Sequence, residues 1–306
     1  MIDVKDLAGF SEPAKVLIER CSDALGAIAH PSQIIRIAKA ESQAALIKAH
    51  NQIEIDKIKT EGSIEIAEIQ ERALARLIYE ESKKQKNIEN IISKALPQVK
   101  ENAKPNDIEE DWMSNFFDKC RLVSDEEMQF LWGKILAGEA NEPGAFSKRT
   151  VSLLQEIDKK EAVAFRSLCN FSINPKQNIV LIYDHQDEVY STHGINFTVL
   201  KELQALNLLT YTNFGFSKKG PQRYYRCQYF NKDFIIYIPE NKTNAFKTGH
   251  VLLTRIGEEL SQLCDTSPIE GFEEYLLKKW EELGYTITLV DPSNFENVNK
   301  FNYGIH

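Results

Sequence analysis

The hydrophobic pattern of the N-terminal part predicts a short helix followed by a very long one. Apolar residues at helical spacing predict an N-terminal helix over Glu12–Ala29. The segment Ser32–Leu96 contains no proline and a single glycine, Gly62, and strong helix formers dominate it. Pro31 suits the first turn of a helix, whereas Pro97 interrupts one. We therefore predict one long, coiled-coil-like helix over this segment.

A mostly apolar stripe, interrupted by Asn51 and Gly62, runs along the long helix from Ile47 to Leu77 in steps of four, four and three, an eleven-residue repeat. A helix of this length cannot bury a narrow apolar stripe against itself, so it requires a partner helix. We predict that the partner is another copy of the chain, which would make the protein a homo-oligomer. The residues predicted to mediate oligomerisation are Ile47, Ile55, Ile58, Ile66, Ile69 and Leu77. In the alternative, the long helix folds back on the N-terminal helix.

The pattern then changes, and it predicts a compact helical domain over 105–172 that follows an N-terminal part over 1–104. Four short helices are predicted between Asp107 and Phe171. Bulky apolar residues on one face of the first helix predict its core side, and they are Trp112, Met113, Phe116 and Phe117. Side chains that can accept backbone N–H groups predict the helix starts, and they are Ser124, Ser147 and Asp158.

Beyond Phe171 the spacing of apolar residues becomes alternating, which predicts a third part over 173–306 with strands and helices. The predicted strands are Ile179–Ile182, Glu188–Tyr190, Leu208–Tyr211, Arg223–Tyr229 and Phe234–Ile238. Asn196 is predicted to cap a helix, and residues 252–260 are predicted to enter another. The predicted fold class is therefore α+β and mainly α. The order of helix, strand, hairpin and helix resembles a winged-helix module, in which the hairpin is the wing and the preceding helix often reads DNA.

Basic and aromatic residues are interleaved on the predicted hairpin, a composition typical of nucleic-acid surfaces. The candidate nucleic-acid-binding residues are Lys218, Lys219, Arg223 and Arg226. The predicted DNA-recognition helix, however, offers only Lys201 as a cation, beside Glu202. DNA is therefore a possible partner that we do not favour, and an unknown protein partner is preferred.

Net charge supports this order of preference. The chain carries a net charge of −8, and ten acidic residues stand against three basic ones between Pro105 and Ala145. An acidic middle argues against indiscriminate nucleic-acid binding by the whole chain.

No recognised catalytic motif or metal site is found, so we expect a non-enzymatic protein without a cofactor. The five cysteines are scattered and never spaced as CxxC, which is typical of reduced, packed thiols. The best metal-like cluster joins Asp184, His185, Asp187 and Glu188 with His193, but its spacing matches no standard ligand set. A cryptic hydrolase or nuclease that uses Asp184, Asp187 and His185 remains the third alternative.

No apolar run is long enough for a membrane span, and the N-terminus lacks the layout of a signal peptide. We therefore expect a cytoplasmic protein.

Several long segments resemble the bacterial family catalogued as domain of unknown function 2806. These segments are residues 36–41, 85–91, 111–120, 123–129, 132–139 and 143–150, with shorter ones at 194–197 and 251–254. Residues 132–150 are also distantly similar to bacterial abortive-infection alpha proteins, which raises phage defence as a setting. The leading hypothesis is a self-associating bacterial interaction protein in phage defence or stress response, and a nucleic-acid-binding winged-helix protein is the alternative.

Overall fold

The computed structural model describes residues 10–25, 62–174 and 179–290. Contacts divide the chain into two compact units, Met1–Gln155 and Glu156–His306. The described residues of the first unit form helices, and those of the second form helices and short antiparallel sheets. The predicted class, α+β and mainly α, is confirmed. The three-part division at residues 104 and 172 stays a prediction.

Five helices are described in the first unit, the last ending at its border. They are α1 (Glu12–Ala24), α2 (Gly62–Ala95), α3 (Glu110–Cys120), α4 (Glu126–Asn141) and α5 (Lys148–Glu156). Helix α2 stops at the predicted place, because Pro97 lies in the 3₁₀ turn Leu96–Gln98 that follows it. A second 3₁₀ turn, Pro105–Asp107, precedes α3. The first part of the predicted long helix, over 32–61, lies outside the described residues.

Helices α2 and α4 pack closely because Gly133 leaves no side chain between them. A Cβ added at Gly133 would lie 3.0 Å from the Cβ of Lys94 and 3.1 Å from the backbone nitrogen of Ala95. The same interface holds a buried polar pair, in which the Gln129 amide donates to Oδ1 of Asn87 at 3.3 Å. A pair of this kind favours one register of the two helices, since sliding would leave buried amides without partners.

The segment after α4 is fastened by a buried carboxylate. Glu139 accepts hydrogen bonds from the backbone N–H groups of Gly144 (2.7 Å) and Phe146 (2.9 Å). The Phe146 ring fills the space beside Gly138, where an added Cβ would lie 2.5 Å from it. The indole of Trp112 donates to the Phe146 carbonyl at 2.7 Å. The residues 132–139 and 143–150 therefore join α4, α3 and the loop before α5 in one packed core.

One predicted helix start is wrong by a residue. We expected Ser124 to cap α4, but Asp125 is the N-cap, and its carboxylate accepts from the N–H groups of Glu127 and Met128 at 3.0 Å each. A carboxylate at this position also complements the helix dipole, so it is favoured over the neighbouring hydroxyl.

The other two predicted helix starts in this region are confirmed. The Ser147 hydroxyl accepts from the N–H of Thr150 at 3.3 Å. Asp158 and Glu161 form a reciprocal capping box at the start of the next helix, with distances of 2.8 and 2.9 Å.

The second unit contains helices and strands, and four of the five predicted strands overlap with described ones. Its described helices are α6 (Lys159–Cys169), α7 (Glu188–Ser191), α8 (Phe197–Ala205), α9 (Arg255–Ser261) and α10 (Phe272–Glu282). Its described strands are β1 (Ser172–Ile173), β2 (Ile179–Val180), β3 (Leu209–Lys219), β4 (Tyr224–Tyr229), β5 (Lys232–Tyr237), β6 (Ala245–Leu253) and β7 (Thr286–Val290). All pairs of these strands are antiparallel: β1 with β2, β3 with β6, and β5 with both β4 and β7.

The predicted hairpin is therefore two nested strand pairs. Strand β3 pairs with β6, and the β4–β5 hairpin is inserted between them in the sequence. The segment 252–260 is also corrected, because its first two residues end β6. Helix α9 begins after Thr254, whose hydroxyl accepts from the N–H of Gly257 at 3.1 Å.

Residues Glu188–Tyr190, which we predicted as a strand, are helical and form most of α7. Alternation over three residues does not distinguish a strand from one helical turn, whereas Asp187 followed by Glu188 is typical of a helix start. A turn of five residues that includes Gly194 (φ 75°) separates α7 from α8. The predicted cap of α8 is confirmed, because Oδ1 of Asn196 accepts from the N–H of Val199 at 3.1 Å.

Aromatic residues fill the core of the second unit around Trp280 of α10, which is fully buried. Its ring packs edge-on against Phe234 of β5 at 5.5 Å. Its indole N–H donates to the Tyr183 hydroxyl at 2.8 Å, and that hydroxyl donates to the Lys247 carbonyl at 2.9 Å. These contacts hold α10 against both nested strand pairs.

None of the helices within the described ranges is both long enough and apolar enough to cross a membrane.

Candidate interaction surfaces

Helix α2 is anchored in the first unit only over its C-terminal part. Ile88 and Ile91 are buried, and α2 packs there against α4. Nearly every position over 68–83 is exposed instead, including Ile69 and Leu77, which are 51% and 53% exposed. Isolated exposed apolar residues are ordinary, but these two lie two helical turns apart on one side of the helix.

The exposed apolar positions continue the buried face of the same helix. Residues seven apart lie on nearly the same side of an α-helix, and Leu77, Lys84 and Ile91 are related in this way. Ile91 is fully buried against the first unit, whereas Leu77 is half exposed. The apolar face therefore extends beyond the neighbouring helices that cover its C-terminal end.

The main contacts of the described helix α1 are with elements other than α2. Its buried residues Ala14, Leu17 and Cys21 belong to a helix that packs on α3 and on both 3₁₀ turns. The alternative in which the long helix folds back on the N-terminal helix stays a prediction.

The remaining predicted oligomerisation residues are only partly described. Ile47, Ile55 and Ile58 lie outside the described residues. Ile66 lies within α2, and nothing is described of its side chain.

A groove of about 580 Å³ in the second unit brings together three of the four predicted nucleic-acid-binding residues. Lys218 and Lys219 at the end of β3 and Arg226 on β4 all line it. Five successive residues of β4, 224–228, also line the groove, so it follows an edge of that strand rather than one face. We call this feature the basic groove, because no residue in its described lining is acidic.

The fourth predicted residue, Arg223, does not line the basic groove. Its guanidinium donates to the carbonyls of Pro239 (2.8 Å) and Lys242 (3.1 Å), so it fastens the turn after β5. Arg223 is thus a structural residue at this turn. The sequence alone did not distinguish it from its neighbours, because the position of the turn depends on how β4 pairs with β5.

Arg226 in the basic groove is held by a buried carboxylate. Oδ1 of Asp233 on β5 accepts from both Nε (3.3 Å) and Nη2 (3.2 Å) of Arg226. The Asp233 side chain is 6% exposed, whereas that of Arg226 is 53% exposed. The pair therefore orients a guanidinium whose other face meets solvent, but the carboxylate also offsets part of its charge.

Burial raises the pKa of the Cys227 thiol in the groove lining to about 12, and the nearby charge of Lys218 lowers that pKa slightly. A thiol with this pKa is neutral at physiological pH and is a poor nucleophile. Cys227 therefore gives the groove no covalent chemistry.

The predicted carboxylate–histidine cluster is used for structural contacts. Asp187 accepts from the Tyr275 hydroxyl at 2.7 Å, and Asp184 accepts from the N–H of Gln186 at 3.0 Å. The His185 ring lies beside Tyr211, whose hydroxyl is 3.3 Å from its Nδ1. Within residues 10–25, 62–174 and 179–290, no three His, Cys, Asp or Glu side chains are grouped so that they could hold a metal ion.

Sequence reasoning missed two residues of the groove lining and one tyrosine beside the groove. Asn174 and Gln222 line the basic groove, and Tyr237 lies across the sheet from the groove residue Tyr224 with ring centroids 6.2 Å apart. Asn174 directly follows β1 and is far from β4 in the sequence, so its position beside β4 depends on a contact that no local pattern reveals. A signal did exist for Tyr237, because it ends an alternating strand beside the predicted basic hairpin.

The described elements define an α+β protein with an exposed apolar helix face in one unit and a basic groove in the other. The chain belongs to the family described as protein of unknown function, DUF2806, because that family's model matches residues 71–277. The match includes the C-terminal part of α2 and the basic groove. No curated protein and no solved structure matches the chain.

Proposed function

We propose that this protein is a non-enzymatic, self-associating interaction protein that assembles through α2. The observation that carries the proposal is the apolar face of α2, which is buried at Ile91 and half exposed at Leu77 and Ile69. Exposed apolar residues that repeat on one side of a helix are stabilised when another helix covers them.

The charges beside this face favour a second copy of the chain as the partner. Residues 68–84 contain four acidic and four basic residues. Some of them already pair within the helix, as Glu68 does with Arg72 and Glu80 with Arg76. A helix with balanced charges can lie beside its own copy without net repulsion, whereas a strongly acidic or basic helix could not.

The setting that we propose is a bacterial cytoplasm, in phage defence or stress response. The support for phage defence is the resemblance of residues 132–150 to abortive-infection alpha proteins. In this setting the second unit would bind a further protein partner.

Self-association is tested by the mass of the full-length protein in solution, by light scattering after size exclusion at several concentrations. The double variant Ile69→Glu/Leu77→Glu places charges on the apolar face. A matched control, Ala75→Glu/Ser82→Glu, adds the same charges at exposed positions on the opposite side of α2.

We expect the wild type and the control to have a mass that is a multiple of 35.0 kDa, and the face variant to be a monomer. A wild-type protein of 35.0 kDa at every micromolar concentration would overturn the proposal. Equal dissociation of both double variants would also count against it, because charge alone would then explain the effect.

A second candidate function is nucleic-acid binding by the second unit. Two observations favour it: three predicted cations line one groove, and α7 and α8 form two helices joined by a short turn before the nested strands. A pair of helices before the strands supports the resemblance to winged-helix modules. Residues Glu188–Tyr190, which were predicted as a strand, belong to the first helix of this pair.

The double variant Lys218→Glu/Lys219→Glu tests this candidate against a control, Lys100→Glu/Lys278→Glu, with the same change in net charge at exposed positions elsewhere. Fluorescence anisotropy of a labelled oligonucleotide is the measurement. We expect only the groove variant to lose affinity, and equal affinities of the two variants would exclude the groove as the binding site.

A further inference from the structure

We propose that the basic groove takes single-stranded nucleic acid, whose bases stack on Tyr224 and Tyr237 while its phosphates meet the groove cations. This inference rests on the second candidate function and names the class of nucleic acid. It differs from a winged-helix mode of binding, in which a helix enters the groove of a duplex.

The outward face of the β4–β5–β7 sheet offers a flat platform for bases. Tyr224 pairs directly with Tyr237, and Tyr237 pairs with Thr286, so the three lie side by side across the sheet. Tyr237 is 45% exposed, and Tyr224 both contacts it and lines the basic groove. The opposite face of this sheet is buried, because Phe234 and Ile236 belong to the core. The exposed Tyr237 ring and the half-buried Tyr224 ring thus lie on the outward face, next to the groove cations.

Arg226 follows Tyr224 on the same face of β4, two residues along the strand. A single strand that lies along the β4 edge would place a phosphate near Arg226 when a base contacts Tyr224. Groove cations that track the backbone, beside aromatic rings that stack on bases, are the combination that single-strand-binding proteins use. The amide side chains of Gln222 and Gln228 in the groove lining can in addition donate to and accept from exposed base edges.

Helix α8 is poorly suited to reading a duplex. Its one cation, Lys201, stands beside the acidic Glu202, and both are exposed. Its first residue, Phe197, is exposed and packs against the His185 ring at 5.6 Å instead of presenting a hydrogen-bonding group. Duplex readers depend on side chains that bond to base edges and on cations that meet both phosphate backbones. The three cations that share the basic groove lie at strands β3 and β4 and not on α8.

The test measures the affinity of the full-length protein for a labelled 20-nucleotide single strand and for the duplex of the same sequence. We expect tighter binding of the single strand, with an affinity that falls with salt at a logarithmic slope of roughly −2 for three phosphate contacts. The variant Tyr224→Leu/Tyr237→Leu should weaken single-strand binding by at least about fivefold, since each stacked base contributes substantially. The variant Tyr224→Phe/Tyr237→Phe keeps the rings and should bind as the wild type does.

Tyr79→Leu is the matched control, because this tyrosine is exposed on α2, outside the groove. Photocrosslinking of a 5-iodouracil-containing strand to the wild type supplies a measurement that does not depend on how a variant folds. We expect crosslinked peptides to contain Tyr224 or Tyr237, and crosslinks confined to other peptides would overturn the proposal.

The outcomes separate this inference from the function on which it rests. A duplex bound as tightly as the single strand, with both weakened by Lys218→Glu/Lys219→Glu, would keep nucleic-acid binding and overturn the single-strand inference. An absence of binding to either probe at low salt would overturn both.

Discussion

The carboxylate of Glu139 and the backbone of Phe146 are joined by a buried hydrogen bond of 2.9 Å, from the Phe146 N–H to Oε2. The other carboxylate oxygen accepts from Gly144, so one side chain closes the loop that follows α4. These residues belong to the segments that resemble the family most closely. Glu139 is buried, and its bonds to two backbone N–H groups give it a structural role.

Replacement of Glu139 by glutamine tests this role. The glutamine keeps one acceptor oxygen but turns an NH₂ group toward a backbone N–H, which leaves a buried donor without a partner. We expect the free energy of unfolding to fall by about 2–3 kcal/mol, the cost of losing a charge-assisted bond and burying an unpaired group. Urea unfolding is the measurement. Glu142→Gln is the matched control, because Glu142 is exposed in the same segment and should change stability little.

The contact between Gly138 and Phe146 makes a second prediction. Gly138→Ala would place a Cβ 2.5 Å from the ring, and overpacking of this kind costs about 1–3 kcal/mol. Phe146→Leu removes ring atoms and is destabilising by itself. We expect the double variant to be more stable than the sum of the two single changes predicts, because the smaller side chain makes room for the Cβ. Strict additivity in urea unfolding would show that the two residues do not compete for space.

Local pattern was sufficient to predict most helices of the first unit, but only four of the seven described strands of the second; β1, β6 and β7 were not predicted. The N-cap at Asp158 and the face of Trp112 and Phe116 depend only on residues within a few turns, and both are as expected. The pairing of β3 with β6 is different, because it joins strands separated by a whole hairpin, and no local rule gives that register.

Helix α10 was not predicted, although its sequence carries a clear signal. Phe272, Leu276 and Trp280 recur every four residues and are all fully buried. Gly271 and Gly284 stand on either side of the helix with φ of 75° and 73°. In the candidate site, the sequence alone identified the cations. Tyr237 lies near them because it pairs with Tyr224 in the sheet, and the sequence does not reveal this pairing.

The Cys227 thiol predicts a pH dependence of stability. Its ordinary pKa is 9.0 and burial raises the pKa to about 12 in the folded protein. Since the folded protein holds this proton more tightly, the contribution of the thiol to stability is complete below pH 9 and is lost as the pH rises toward 12. We expect the difference in unfolding free energy between wild type and Cys227→Ala to shrink between pH 8 and pH 10, measured by urea unfolding. A constant difference over this range would contradict the raised pKa.

Alkylation gives a direct measurement of the same burial. The thiolate is the reactive form, and burial also raises the pKa values of Cys21 and Cys120 above their usual range. At pH 8 we expect iodoacetamide to modify Cys264 first, because it is half-buried whereas the other four cysteines are buried. Mass spectrometry after short exposures gives the order of modification, and denaturant should make all five react at similar rates. Rapid modification of Cys21 or Cys120 in the folded protein would show that α1 detaches readily from α3.

The ion pair between Asp233 and Arg226 links the stability of the second unit to the proposed function. Asp233→Asn keeps an acceptor for the guanidinium but removes the charge, so we expect the free energy of unfolding to fall by about 1–2 kcal/mol, measured with urea.

The Asp233→Asn change also leaves more of the Arg226 charge available to a phosphate. We therefore expect the affinity for a labelled single strand to rise by up to about fivefold, the size of a half-exposed ion pair. Glu274→Gln removes an exposed carboxylate from the same unit and controls for net charge. If Asp233→Asn weakened binding while Glu274→Gln did not, Asp233 would instead be positioning Arg226 for its ligand. The idea that the Asp233 carboxylate and a phosphate compete for Arg226 would then be wrong.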